Sequence, residues 1–269
     1  MARNPRRLVP ISGQGAHSKP KLVFGGRFDG KVIKKADETM KAKTALEHKK
    51  GSELYQRALK EAGIPIISAE AKIAGHGKNR KLYFLQEKVP SEQILSNVFV
   101  HASPRECVRL TERLLLFTQK IWEHRKKSST IFLMDTNFHN WVILNGEPTF
   151  LDFYPPNAKK KGSFDKSAIR ASSSKLVKLG QLVLYPRQQR RSFDPKNMIT
   201  SIVSMAILFR PELEQEILKT GREFVRKNFK GREQASLLKR LQSKKTLPRS
   251  PSRLGEIAMK LNARAKRKK

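Results

Sequence analysis

The chain has 269 residues and a formal net charge of +34, from 57 lysines and arginines against 23 aspartates and glutamates. That length suits one large domain or two small lobes around a cleft. The single cysteine, Cys107, excludes a disulfide framework and a thiolate zinc site. No apolar run reaches the roughly 18 residues that a membrane-spanning helix needs.

The basic excess repels itself unless an anion accompanies it. RNA, a ribosome, an anionic membrane surface or a set of phosphates would serve. A generally basic proteome or a salt-rich cytoplasm is the bland account of the same charge. A lone cysteine fits a reducing compartment. Met1 to Pro10 is basic but lacks the apolar core of a secretory signal. The expected location is therefore cytoplasmic, with a peripheral place on a membrane or ribosome as the variant.

Residues 1–10 read as a basic flexible arm. From Ile11 to Lys35, glycines punctuate short apolar runs, Lys21-Leu22-Val23-Phe24 and Lys31-Val32-Ile33, which predicts strand, turn, strand. Ala36 to Ala62 is helix-rich, with a break expected near Gly51 and Ser52 as the cap of a second helix. Gly63 stops that helix and Pro65 cannot continue it. Ile64 to Ile73 and Lys81 to Val89 predict two more strands around a Gly75 to Asn79 turn. Residues 11–90 would form a small sheet lobe with one main helix.

Residues 91–242 read as a mainly helical lobe. Ser103-Pro104-Arg105-Glu106 is a capping box with proline at the first helical position. Behind it Leu110, Leu114, Leu115, Phe117 and Ile121 follow helical spacing. Thr130 to Met134 predicts a short strand. Trp141 to Leu144 and Pro148 to Leu151 predict a hairpin about Asn145-Gly146. A lysine run at Lys159 to Lys161 and a Ser/Lys-rich loop follow. Asp194-Pro195 opens another helix, and further helices run from Pro211 to Gln242. Residues 243–269 form a basic tail, with Leu254 to Leu261 as a candidate last helix.

The polar residues of one stretch stand out: Asp135, Asn140 and Asp152 sit at the ends of strand-like segments. Taken singly, each is a turn or cap residue of an α+β protein. Their order and spacing, with what precedes them, resemble the protein-kinase-like fold. Ile11 to Ser18 looks like a glycine-rich loop, with Gly13 and Gly15 in place and Ser18 where a third glycine is usual. Val32-Ile33-Lys34 is similar to the lysine strand. Glu53 falls near the usual distance for the helix glutamate that holds that lysine, with Glu47 as the fallback. Gln86 to Val89, and Glu87 within it, falls where the hinge between lobes is expected. Asp135 to Asn140 matches catalytic-loop spacing, and Asp152-Phe153-Tyr154 stands in place of Asp-Phe-Gly.

There are departures. Leu133-Met134 replaces the His-Arg of ordinary protein kinases, and no Ala-Pro-Glu closes an activation segment. The loop looks more like those of aminoglycoside phosphotransferases, choline kinases, RIO-like kinases or lipopolysaccharide kinases. His139 sits one place before the asparagine and is read as a packing residue.

The resemblance implies an α+β, two-lobed protein-kinase-like fold and an atypical phosphotransferase that uses ATP and magnesium. Lys34, Glu53, Glu87 and the glycine-rich loop, with Gly13, Gly15 and Ser18, would bind nucleotide. Asn140 and Asp152 would hold magnesium. Asp135 would take the proton of an acceptor hydroxyl. The basic segments at 159–161 and 187–191 suit an anionic acceptor. The alternative is a kinase-like pseudoenzyme whose surface holds RNA, a ribosome or an anionic membrane.

Overall fold

The computed structural model describes residues 7–10, 18–24, 28–36, 41–76, 79–153, 158–160 and 195–242. These form an α+β structure with a small antiparallel sheet and several helices. The sheet joins β1 (Arg7–Pro10), β2 (Ser18–Phe24), β3 (Lys31–Ala36), β4 (Ala69–Ala74) and β5 (Lys81–Glu87). Its order is β1-β2-β3-β5-β4, with every neighbouring pair antiparallel. Arg7–Pro10 is therefore an edge strand and not part of a flexible arm. The ladder to β2 supplies its hydrogen bonds, which composition does not reveal.

One long helix, α1 (Ala42–Glu61), lies between β3 and β4 and packs on the sheet. It runs through Gly51 without a break, and Ser52 is an interior residue, not a cap. A helix-interior glycine costs about 1 kcal/mol relative to alanine. The buried face of Ala45, His48, Ser52, Tyr55, Gln56, Ala58 and Leu59 outweighs that cost. At its end, the Gly63 amide reaches the Lys60 carbonyl at 2.9 Å and the Ile64 amide reaches Leu59 at 3.0 Å. Gly63 adopts φ +70°, the left-handed closure that glycine accepts without penalty.

The mainly helical remainder starts with α2 (Leu95–His101) and α3 (Pro104–Lys127). Ser103 caps α3: its Oγ accepts from the Glu106 amide at 3.2 Å, and Pro104 takes the first helical position. The Glu106 carboxylate instead receives two bonds from Arg109, both 2.8 Å. α4 (Pro195–Phe209) and α5 (Glu214–Asn228) pack with α3 and with each other, and α6 (Gly231–Arg240) packs against α5 and α4. Cys107 is wholly buried where α3 meets the chain after α4. There the Arg210 guanidinium binds the Phe99 and Ala102 carbonyls and the Cys107 sulfur.

Two short two-stranded antiparallel pairs complete the β-structure, one of them a hairpin. β6 (Thr130–Phe132) pairs with β9 (Ala158–Lys160), so part of the expected lysine-rich loop is a strand held by its partner. β7 (Trp141–Leu144) pairs with β8 (Glu147–Phe150) through Asn145 at φ 51° and Gly146 at φ 77°. That double positive φ is the hairpin turn that Asn-Gly favours. A single hydrophobic core continues from the sheet into the helices. Tyr55 stands at its centre, with the rings of Phe132, Phe150 and Phe153 around it at 6.0–6.3 Å.

Gly63→Ala should lower stability by about 1 kcal/mol, because a Cβ at positive φ is strained while the space around it is open enough. Chemical denaturation with an unchanged slope would check this.

Candidate functional site

Lys34, Asp135, Asn140 and Asp152 are drawn together by hydrogen bonds in and around the end of β8. Phe150 forms a short parallel bridge with the segment before β4: its amide donates to Pro65 and its carbonyl accepts from Ile67, both at 2.9 Å. The Leu151 amide donates to the Asn140 carbonyl at 3.0 Å. The Leu151 carbonyl accepts from Gln86 Nε2 at 2.8 Å and from Lys34 Nζ at 3.4 Å. The Phe153 carbonyl accepts from Ser52 Oγ at 3.0 Å. Asp152 is thus clamped on both sides, and its carboxylate lies 3.9 Å from the Lys34 ammonium.

Lys34 points to the inner face of the sheet, with Val32, Leu82, Phe84 and Gln86 around it on that face. Its side chain is only 17% exposed. Burial pushes its pKa below the ordinary lysine range, and the Asp152 carboxylate opposes that shift. An anion at this ammonium would offset the cost of keeping it charged.

Asp135 and Asn140 meet directly. Asn140 Nδ2 donates to Asp135 Oδ2 at 2.8 Å, and the Asn137 amide donates to Asp135 Oδ1 at 2.9 Å. The loop between them closes on itself through Asn137, whose side chain accepts from the His139 amide at 3.1 Å. Trp141 Nε1 donates to the Asp135 carbonyl at 2.8 Å, while its ring lies buried and stacked against Phe117. Tyr55 Oη donates to the Leu133 carbonyl at 2.5 Å, which ties α1 to the strand leading into Asp135. His139 bonds Ser96 at 2.8 Å and packs against Phe209.

The donor set suits magnesium in kind. Asn140 commits its amide nitrogen to Asp135, which leaves the amide oxygen for a cation, and Asp152 adds a carboxylate. Magnesium is held by one or two such oxygens together with water and phosphate. Among the described residues no three His, Cys, Asp or Glu side chains cluster.

Other sequence-derived positions fall elsewhere. Glu53 is not beside Lys34. It faces outward and pairs with Lys49 one helical turn away, at 3.8 Å. With α1 unbroken, Ser52 takes the inward place and Glu53 lies about 100° further round the helix. Glu87 ends β5 with a 65% exposed side chain and pairs with Lys31. Ser18 lies in β2 opposite Ala36. Gly13 and Gly15 lie outside the described residues, as do the basic segment at 187–191 and the candidate last helix. Residues with roles that spacing does not reveal are Gln86, which also binds the Ile67 carbonyl at 2.9 Å, and Ser52. A buried glutamine in an apolar strand is the only local hint of the first.

The chain belongs to a family of unknown function, DUF6206, whose model matches residues 5–258. No curated protein matches it in sequence.

Two substitutions separate the clamp from the exposed pair. Gln86→Leu strips two buried carbonyls of a donor and should cost about 2 kcal/mol or more, read by denaturation. Glu53→Ala should change stability by less than about 0.5 kcal/mol, read the same way.

Proposed function

We propose that this protein is an atypical, magnesium- and ATP-dependent phosphotransferase acting on a hydroxyl acceptor. The observation that carries the reading is the bonded path Asp135–Asn140–Leu151–Asp152–Lys34. It gathers a carboxylate base, an amide oxygen, a second carboxylate and a buried ammonium from separate parts of the chain. The small antiparallel sheet with one main helix, followed by a mainly helical remainder, agrees with what a kinase-like, two-lobed fold implies.

The chemistry follows from charge. Phosphoryl transfer depends mostly on positioning and on neutralising the phosphates. Lys34 holds a positive charge where burial makes an anionic partner favourable. Asp152 and the Asn140 amide oxygen would hold magnesium, which would neutralise charge on the phosphates. Asp135 is oriented by its bonds from Asn140 and the Asn137 amide. It retains acceptor capacity for the proton of an incoming hydroxyl. The net charge of +34 favours an acceptor that is itself anionic.

A second reading has its own support. Lys34 faces Asp152 and not a helix carboxylate, as a kinase-like binding protein without turnover would allow.

Thermal unfolding with magnesium-ATP tests both. A ligand at about 100 times its Kd should add about 2.7 kcal/mol to wild type. Asp152→Ala should lose that gain. Asp135→Ala should keep most of it and lose phosphotransfer. Nucleotide binding without any turnover in wild type would select the second reading, and no magnesium-dependent gain would dismiss the phosphotransferase and favour a pseudoenzyme that does not use the nucleotide. Lys34→Ala should weaken nucleotide affinity about tenfold or more, the scale of a charge-assisted bond, by calorimetric titration.

A further inference from the structure

The register of the sheet fixes what its two faces carry. Val32, Lys34, Leu82, Phe84 and Gln86 share the inner face, and all but Lys34 are buried there. The alternate residues lie on the other face, where Leu85 and, by the same register, Val23 are buried and Lys72 sits over the Phe28 ring at 4.4 Å. Lys35 lies opposite Tyr83, and Tyr83 lies opposite Lys72, so the three form one row across β3, β5 and β4. Lys21 pairs with Ile33 and falls on the same face, as do Lys31 and Lys81. This face carries two carboxylates as well. Lys72 pairs with Glu70 at 3.1 Å and Lys31 pairs with Glu87. Among the described residues Lys21, Lys35 and Lys81 have no acidic partner. Lys21 and Lys35 are exposed, and Lys81 and Tyr83 are half-buried.

We infer that this outer face binds single-stranded RNA, with Tyr83 as a stacking platform and the three unpaired lysines as phosphate ligands. Single-strand binding needs both elements: a cationic surface that follows the backbone, and an aromatic ring on which a base can lie. Here they occur in one cross-strand row, at strand spacings of about 4.8 Å. A bilayer fits less well, because surface helices and patches that bind lipid bring apolar side chains to insert. The exposed large hydrophobic residues of the described surface are Phe24, Leu46, Val100 and Leu116. None belongs to the outward set of this face. The inference does not depend on phosphotransfer, because Lys34, Asp135, Asn140 and Asp152 lie on other surfaces.

The test is binding of a fluorescent oligouridylate by the full-length protein across a salt series. Lys21→Glu, Lys35→Glu and Lys81→Glu combined should weaken binding at least tenfold at low salt. The slope of log affinity against log salt should flatten by about 0.7 for each phosphate that the variant no longer neutralises. Tyr83→Leu should weaken binding about tenfold and Tyr83→Phe should not, because the ring and not the hydroxyl stacks. A control reversing Lys43, Lys50 and Arg57 on α1 removes equal charge and should have the smaller effect. Thermal midpoints establish folding, and Lys35→Glu alone serves if the triple variant does not fold. Equal weakening in the control and sheet variants would overturn the assignment to this face. So would full affinity in Tyr83→Leu. No RNA binding at low salt, with binding to phosphatidylserine vesicles, would overturn RNA in favour of a membrane.

Discussion

The position of Asp152 rests on how the backbone from Phe150 to Phe153 is shared among five other segments of the chain. The segment before β4 takes both polar groups of Phe150. The loop that ends in Asn140 takes the Leu151 amide, Gln86 and Lys34 take its carbonyl, and Ser52 takes the carbonyl of Phe153. Buried backbone groups must be satisfied somewhere. Satisfying these here couples the sheet, α1 and the loop that carries Asp135. No single bond is strong, since each nets about 1 kcal/mol. Their convergence on Phe150, Leu151 and Phe153, on either side of Asp152, is what fixes the geometry.

Local chemistry is legible in the sequence. The Ser103 cap, the Gly63 stop and the Asn145-Gly146 turn each depend on residues a few places apart, and each forms as expected. Asp135 and Asn140 are also near neighbours, so their spacing foretells a contact. Long-range satisfaction is not legible. Gln86 acts across 19 and 65 residues, and nothing beside it announces those partners. A break at Gly51 would hide the true face of α1 and put Glu53 where Ser52 belongs. Helix propensity at one glycine says nothing of the buried face that carries the helix through it. The strands at Arg7–Pro10 and Ala158–Lys160 escape a sequence reading because they are only four and three residues long and only pairing makes them strands.

The burial of Lys34 has a pH signature. Its folded pKa lies below that of the unfolded chain, so the unfolded state binds more protons in the interval between the two. Stability therefore rises with pH through that interval, the reverse of a lysine stabilised by a strong partner. A bound polyphosphate would raise the folded pKa and flatten the rise.

Cys107 gives the molecule an internal reporter. It is the only thiol in the chain, fully buried, with Arg210 bridging it to the end of α2. Burial also pushes its pKa up, so it is a poor nucleophile in place. An alkylating reagent can then react only when the junction of α2, α3 and the end of α4 parts. The rate of that reaction measures the opening of the helical half alone, without any introduced label, and can be compared with the sheet half by amide exchange.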